Sequence, residues 1–113
     1  MSYAGYTKGH SALLLATQAL AEHYNVSQWL AQEWQQSQPG TTGRLEQAAL
    51  GSAPKAWRFA GEMREIASSY AQAQLPDGFH VAAAELYQRL APFKDQAELS
   101  TDQVVAMLLE STS

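Results

Sequence analysis

The feature of this sequence that most constrains its fold is its high content of helix-forming residues. Twenty of the 113 residues are alanine and twelve are glutamine, whereas valine and isoleucine together number only five. Because alanine favours helices and β-branched residues favour strands, this balance predicts an all-α fold without a sheet. A chain of this length fits a single domain, residues 1–113, that buries a core without disulfides or a structural metal.

Apolar residues recur at intervals of three and four along the chain, as they do in helices that bury one face. Turn-forming residues interrupt this pattern at Asn25 and within residues 37–40, 51–54 and 75–78. We therefore predict about six helices, two of them long and packed in a bundle. They are residues 3–24, 27–36, 43–50, 54 to the break at 75–78, 79–90 and a last helix after Ser100.

Particular residues are predicted to face the core or to cap the helices. In the first helix, the spacing favours an inward face of Leu13, Ala16, Leu20 and Tyr24. The fourth helix carries an amphipathic stripe, which consists of Phe59, Met63, Ile66 or Ala67, and Tyr70. We expect Ser52 to cap this helix, with Pro54 in its first turn. Ser100 and Gln103 have the spacing of a capping box before the last helix.

Several classes of function are excluded or disfavoured by the composition. The absence of cysteine rules out a thiolate zinc site and a cysteine nucleophile. A net charge of -4 argues against nucleic-acid binding, which needs clustered cations. The longest apolar run, residues 12–16, is too short to span a membrane, and the three histidines lack the spacing of metal ligands. These features favour a cytoplasmic protein.

The segment from Pro54 to Met63 leaves two interpretations open. Lys55, Trp57 and Arg58 lie at the predicted start of a helix, where free N–H groups and the helix dipole favour an anion. Alternatively, Arg58 pairs with Glu62 one turn later, and Trp57 fills the core.

Gly5, Gly9 and His80 are ambiguous in the same way. Two glycines four residues apart weaken a helix unless something approaches that face, either another helix or a ligand. His80, one turn into a predicted helix, either donates a hydrogen bond to a substrate oxygen or serves the fold alone.

Five segments of the chain resemble one known module. They are residues 3–9 (YAGYTKG), 37–40 (SQPG), 54–58 (PKAWR), 61–67 (GEMREIA) and 75–80 (LPDGFH). In order and spacing they are similar to the C-terminal helical domain of NAD(P)-dependent oxidoreductases of the 6-phosphogluconate dehydrogenase-like, β-hydroxyacid dehydrogenase superfamily. The resemblance extends from Met1 to about Asp95.

The resemblance implies the C-terminal part of a two-domain enzyme. In that family a Rossmann domain binds NAD or NADP, and the helical domain contacts a small hydroxy-acid substrate and forms a homodimer. The family's catalytic lysine aligns just before Met1, so this chain is expected to be inactive alone and to bind no cofactor by itself. A later Lys-Asp pair of the family aligns with Arg64 and Glu65, which departs from the family pattern.

The motifs that carry the resemblance also suggest a substrate site. We predict that it combines Tyr3 and Lys8 on the first helix with Trp57, Arg58 and Glu62 on the fourth, and that His80 adds to it. The partner surfaces we expect are Trp29, Trp34 and the Gly5/Gly9 face, because exposed aromatic residues mark interfaces. The alternative function is a stand-alone helical module, derived from such a domain, that only dimerises or binds a partner.

Overall fold

In the computed structural model, which describes residues 2–110, the chain folds into six α-helices and two 3-10 turns. The helices are α1 (Ser2–His23), α2 (Ser27–Ser37), α3 (Thr41–Ser52), α4 (Ala56–Gln72), α5 (Gly78–Arg89) and α6 (Thr101–Leu109). The described residues contain no strand, so the all-α prediction is confirmed. The prediction of two long helices is also confirmed, because α1 has 22 residues and α4 has 17.

The core lies where α4 packs on α5 and where α1 crosses α3, α4, α5 and α6. The stripe predicted for α4 faces this core, since Phe59, Met63, Ile66 and Ala67 are buried and Tyr70 packs at its edge. On α5, Tyr87 is fully buried. The clear division of α4 into an apolar and a polar face therefore fixes how this helix is oriented against α5.

The predicted inward face of α1 is wrong. Leu13, Leu20 and Tyr24 are each more than half exposed and Ala16 also faces outward, whereas the buried stripe consists of Ala12, Leu15 and Ala19. The physical reason is that α1 carries apolar residues on both sides, so a spacing of three and four fits two different stripes. The stripe rich in alanine faces inward because small side chains let several neighbouring helices approach α1 closely.

The two capping predictions have opposite outcomes. Ser52 does not cap α4; it is the last residue of α3, is buried and makes no capping hydrogen bond. Pro54 lies in a 3-10 turn (Ala53–Lys55) that continues from α3, so backbone hydrogen bonds already occupy this junction. The capping box is confirmed: Ser100 Oγ accepts from Gln103 N (3.1 Å), and Gln103 Oε1 accepts from Ser100 N (2.8 Å).

Helix α2 lies at the periphery and buries none of its residues. Trp29 is largely exposed, whereas Trp34 packs partly against the core. Within residues 2–110, no helix combines the length and apolar character needed to cross a membrane. The same residues hold no group of three or more His, Asp or Glu side chains arranged to bind a metal ion.

Candidate functional site

Two side chains of α5 hold the N-terminal half of α1 by its backbone. The Nε2 atom of His80 lies 3.1 Å from the carbonyl oxygen of Gly5, to which it donates a hydrogen bond. Two turns later, the hydroxyl of Tyr87 donates to the carbonyl oxygen of Lys8 (2.6 Å). Both carbonyls also belong to the helix, so α1 is fixed on α5 without losing its own hydrogen bonds.

The Gly5 position is closed by protein atoms. A Cβ atom on Gly5 would lie 3.2 Å from Cγ2 of Ile66 and 3.3 Å from Nε2 of His80. At Gly9 the nearest contact, again with His80 Nε2, would be an ordinary 3.5 Å. Close packing of α1 against α4 and α5 therefore explains why residue 5 is a glycine. His80 itself is buried, and its ring packs at a tilt of 32° against Tyr70, with 4.6 Å between the ring centroids. Its Nδ1 atom has no hydrogen-bond partner among the described residues.

The two glycines provide a matched test of this packing. We expect Gly9→Ala to raise the free energy of unfolding by about 0.5–1 kcal/mol, because alanine lowers the entropy of the unfolded chain and favours helix. Gly5→Ala gains the same term but presses Ile66 and His80 apart. It should therefore be less stable than Gly9→Ala by about 1 kcal/mol in urea unfolding. Equal stabilities would contradict a close contact at Gly5.

Three of the six predicted substrate residues gather around the ring of Phe59. The Nζ atom of Lys8 pairs with the Glu62 carboxylate and lies 4.3 Å from the centroid of Phe59. The guanidinium carbon of Arg58 lies 6.0 Å from the same centroid. We call these four residues the Phe59 cluster. It combines two cations and one carboxylate on an aromatic surface, a net charge of +1.

The pair expected between Arg58 and Glu62 does not form. Glu62 binds Lys8 on α1, which leaves Arg58 without an ion pair among the described residues. The alternative role of Trp57 as core filler is also wrong, because its side chain is nearly half exposed. Its ring carries the Nζ atom of Lys94 at 4.3 Å. An exposed, unpaired guanidinium therefore remains beside a paired lysine.

The other three predicted residues lie outside the Phe59 cluster. Trp57 contacts Lys94, and the His80 ring lies between α1 and Tyr70. Tyr3 is largely exposed near the start of α1, where only its carbonyl oxygen makes a contact, with Thr7 Oγ1. The sequence reasoning missed the part that Phe59 and Tyr87 play in holding Lys8. Both were visible only as apolar positions.

A groove of about 680 Å³ runs between α1 and α5. Gly5, Gly9 and His80 line its inner side, and the exposed side chains of Tyr6, Leu13 and Phe79 stand at its rim. Its walls are mostly apolar, in contrast to the charged Phe59 cluster. The groove was not predicted; the Gly5/Gly9 spacing was the one signal in the sequence that pointed to this face.

Comparison with known proteins gives one match. A family model described as "Domain of unknown function (DUF1932)" matches residues 21–90, which is more than half of the chain. No curated protein and no solved structure matches the chain. The matched segment includes Arg58, Phe59 and Glu62 of the Phe59 cluster and both α5 residues that hold α1.

Proposed function

The chain belongs to the DUF1932 family, and from this premise we propose that it is the substrate-binding and dimerisation domain of an NAD(P)-dependent oxidoreductase that acts on small hydroxy acids. The five sequence segments that resemble the 6-phosphogluconate dehydrogenase-like superfamily support this proposal. Two of them, residues 54–58 and 61–67, carry Arg58 and Glu62. The residues matched by the family model and the segments that carry the resemblance therefore both include Arg58 and Glu62 of the Phe59 cluster.

The observation that carries the proposal is the unpaired guanidinium of Arg58 beside the Lys8–Glu62 pair. A guanidinium offers a planar set of N–H donors that binds a carboxylate through two parallel hydrogen bonds. Lys8 lies on the same aromatic ring and adds positive charge, while Glu62 holds it in place. The cluster is therefore suited to the carboxylate of a small organic acid.

In the family that the chain resembles, a Rossmann domain binds the nicotinamide dinucleotide where a strand leads into a glycine-rich helix N-terminus. Residues 2–110 contain no strand. In the proposed enzyme a separate domain holds the cofactor. The task of this chain is then to bind the substrate carboxylate and to orient the reacting carbon, for which positional accuracy matters.

Replacing Arg58 tests the proposal. In a protein that joins this chain to a nicotinamide-binding domain, we expect Arg58→Ala to lower kcat/KM for the hydroxy acid tenfold or more, about 1.4 kcal/mol. The melting temperature should stay within about 2 °C, because Arg58 is exposed and makes no ion pair. Steady-state kinetics and thermal unfolding of the same preparations give both values.

Arg44→Ala is the matched control for the loss of a guanidinium. Arg44 lies on α3, donates a hydrogen bond to Thr41 Oγ1 (2.8 Å) and is not part of the Phe59 cluster. Its replacement should leave kcat/KM unchanged. If Arg58→Ala leaves turnover unchanged too, Arg58 does not bind substrate, and the alternative function as a stand-alone interaction module is favoured.

A further inference from the structure

The outward side of α1 carries a regular row of residues that the fold does not use. Successive members are three and four residues apart, the spacing of the a and d positions of a coiled coil. We call this row the α1 seam; it consists of Tyr3, Tyr6, His10, Leu13, Thr17, Leu20 and Tyr24. The last of these follows directly after the helix ends.

The seam is exposed although it is largely apolar. Its three tyrosines and two leucines are 59–81% exposed, and none of its seven members is charged. On the other side of the same helix, Ala12, Leu15 and Ala19 are buried in the core. A surface helix normally has one apolar and one polar face, so a helix that has apolar residues on two sides is expected to have its exposed apolar side covered by another surface.

We propose that a second copy of this chain covers the α1 seam, so that the two α1 helices pack against each other. This inference rests on the dimerisation that is part of the proposed function and assigns it to a surface. Two copies of the seam have the same spacing of three and four residues, so the side chains of one α1 helix can pack between those of the other. Because no member of the seam is charged, this pairing brings no like charges together.

The two polar members of the seam do not oppose this pairing. The hydroxyl of Thr17 donates to the carbonyl oxygen of Leu13 (2.7 Å), so it needs no partner across the interface. The ring of His10 stacks on Tyr6 with 5.9 Å between centroids and 5° between planes. Thr17 can therefore be covered at little cost, since a buried polar group is expensive mainly when it lacks a hydrogen bond. The ring nitrogens of His10 take their hydrogen bonds from the second copy or from water at the interface.

The exposed apolar area is comparable to the area that each partner buries in a standard interface. Phe79 of α5 stands 78% exposed across the groove from Tyr6 and Leu13 and continues the same apolar surface. Large side chains cover about 150–250 Å² each, so the five large seam residues and Phe79 together expose on the order of 800 Å². A standard interface buries about 800 Å² on each partner. The groove beside the seam can receive side chains from the second copy.

The other exposed aromatic residue considered as an interface, Trp29 on α2, lacks such a surface. Its helix buries no residue, and seven of the eleven residues of that helix are polar, namely four glutamines, two serines and a glutamate. A single exposed tryptophan on a largely polar helix is ordinary for a protein surface. Trp29 therefore serves as a control for the seam.

A single cysteine tests the pairing directly, since the chain has none of its own. Leu13 is the fourth of the seven seam positions, so it faces its own counterpart whether the helices pair parallel or antiparallel. In the 113-residue chain we expect Leu13→Cys to form a disulfide-linked dimer under mild oxidation, seen on non-reducing gels. Trp29→Cys, at a site of equal exposure (63% against 64%), should remain unlinked.

Light scattering with charged variants gives the second measurement. The unmodified chain should have twice the mass of its monomer, and Leu13→Glu should halve that mass, because two carboxylates then meet at the centre of the seam. Trp29→Glu should leave the mass unchanged. Circular dichroism confirms that each variant keeps its helices, which is expected because both positions are exposed.

Three outcomes would overturn the α1 seam as the dimer interface. They are a monomeric unmodified chain, a dimer that survives Leu13→Glu, and equal cross-linking of the two cysteine variants. A monomeric chain whose seam becomes protected only when a nicotinamide-binding domain is attached would assign the seam to that domain instead. None of these results alters the effect of Arg58→Ala on turnover, so failure of the seam and failure of the proposed substrate site are distinguishable.

Discussion

Truncating Tyr87 to alanine is expected to lower the free energy of unfolding by about 3–5 kcal/mol, as for other buried aromatic residues. The side chain is fully buried and contacts the edge of Phe59, with ring centroids 5.5 Å apart and an interplanar angle of 77°. It also donates the hydrogen bond that fixes Lys8 on α5. Domains are stable by only about 5–15 kcal/mol, so this variant should be close to unfolding.

The conservative variant separates packing from hydrogen bonding. Tyr87→Phe keeps the ring and removes only the hydroxyl, so we expect a loss of about 0.5–1.5 kcal/mol near neutral pH. Urea unfolding followed by circular dichroism measures both variants. If Tyr87→Phe were as unstable as Tyr87→Ala, the hydrogen bond to Lys8 would contribute more to stability than the packing of the ring, and the expected order of the two effects would be wrong.

The sequence predicts the inward face of α4 well because this helix has one apolar and one polar face. On α4, the apolar residues from Phe59 to Ala67 fall on one side of the helix, and no second apolar stripe competes with them. On α1, Leu13 and Leu15 are equally apolar, yet only Leu15 is buried. Which of the two apolar stripes of α1 faces inward depends on how the other five helices pack, and the local sequence pattern does not contain that information.

In the candidate site too, the residues could be predicted from local motifs, but the contacts between helices could not. Lys8, Arg58 and Glu62 were predicted from their motifs, and they do lie together. Their pairing was not predicted, because Lys8 and Glu62 are 54 residues apart and the sequence offered a partner for Glu62 one turn away. The hydrogen bond between His80 and Gly5 joins residues 75 apart. Contacts of this kind follow from how helices cross, which the helical period leaves open.

The Phe59 cluster and the α1 seam both depend on the position of α1, which two buried residues of α5 fix. Tyr87 and His80 fix the carbonyl oxygens of Lys8 and Gly5, and both belong to the turn of α1 that presents Lys8 to the Phe59 cluster. The seam lies on the outward side of the same helix. The same helix therefore carries Lys8 of the Phe59 cluster and all the residues of the α1 seam except Tyr24, which directly follows it.

High pH should destabilise the protein through Tyr87. Burial, which disfavours the charged phenolate, raises the pKa of Tyr87 from 10.0 to about 12, against a smaller lowering by a side-chain hydrogen bond with Ser52. Between these two values the folded state retains a proton that the unfolded state releases. The free energy of unfolding therefore falls as the pH rises from about 10 to about 12, by up to about 3 kcal/mol, and this contribution is fully present below pH 10.

Tyr87→Phe provides the control, because it cannot ionise at this position while every other titrating group is unchanged. Below about pH 9 the unmodified chain should be more stable than Tyr87→Phe by about 1 kcal/mol, owing to the hydrogen bond to Lys8. Near pH 12 the order should reverse, because ionisation of a buried tyrosine then costs more than that hydrogen bond contributes. Urea unfolding of both proteins across this range gives the difference directly. A difference that stays constant with pH would show that Tyr87 ionises as readily in the folded chain as in the unfolded one.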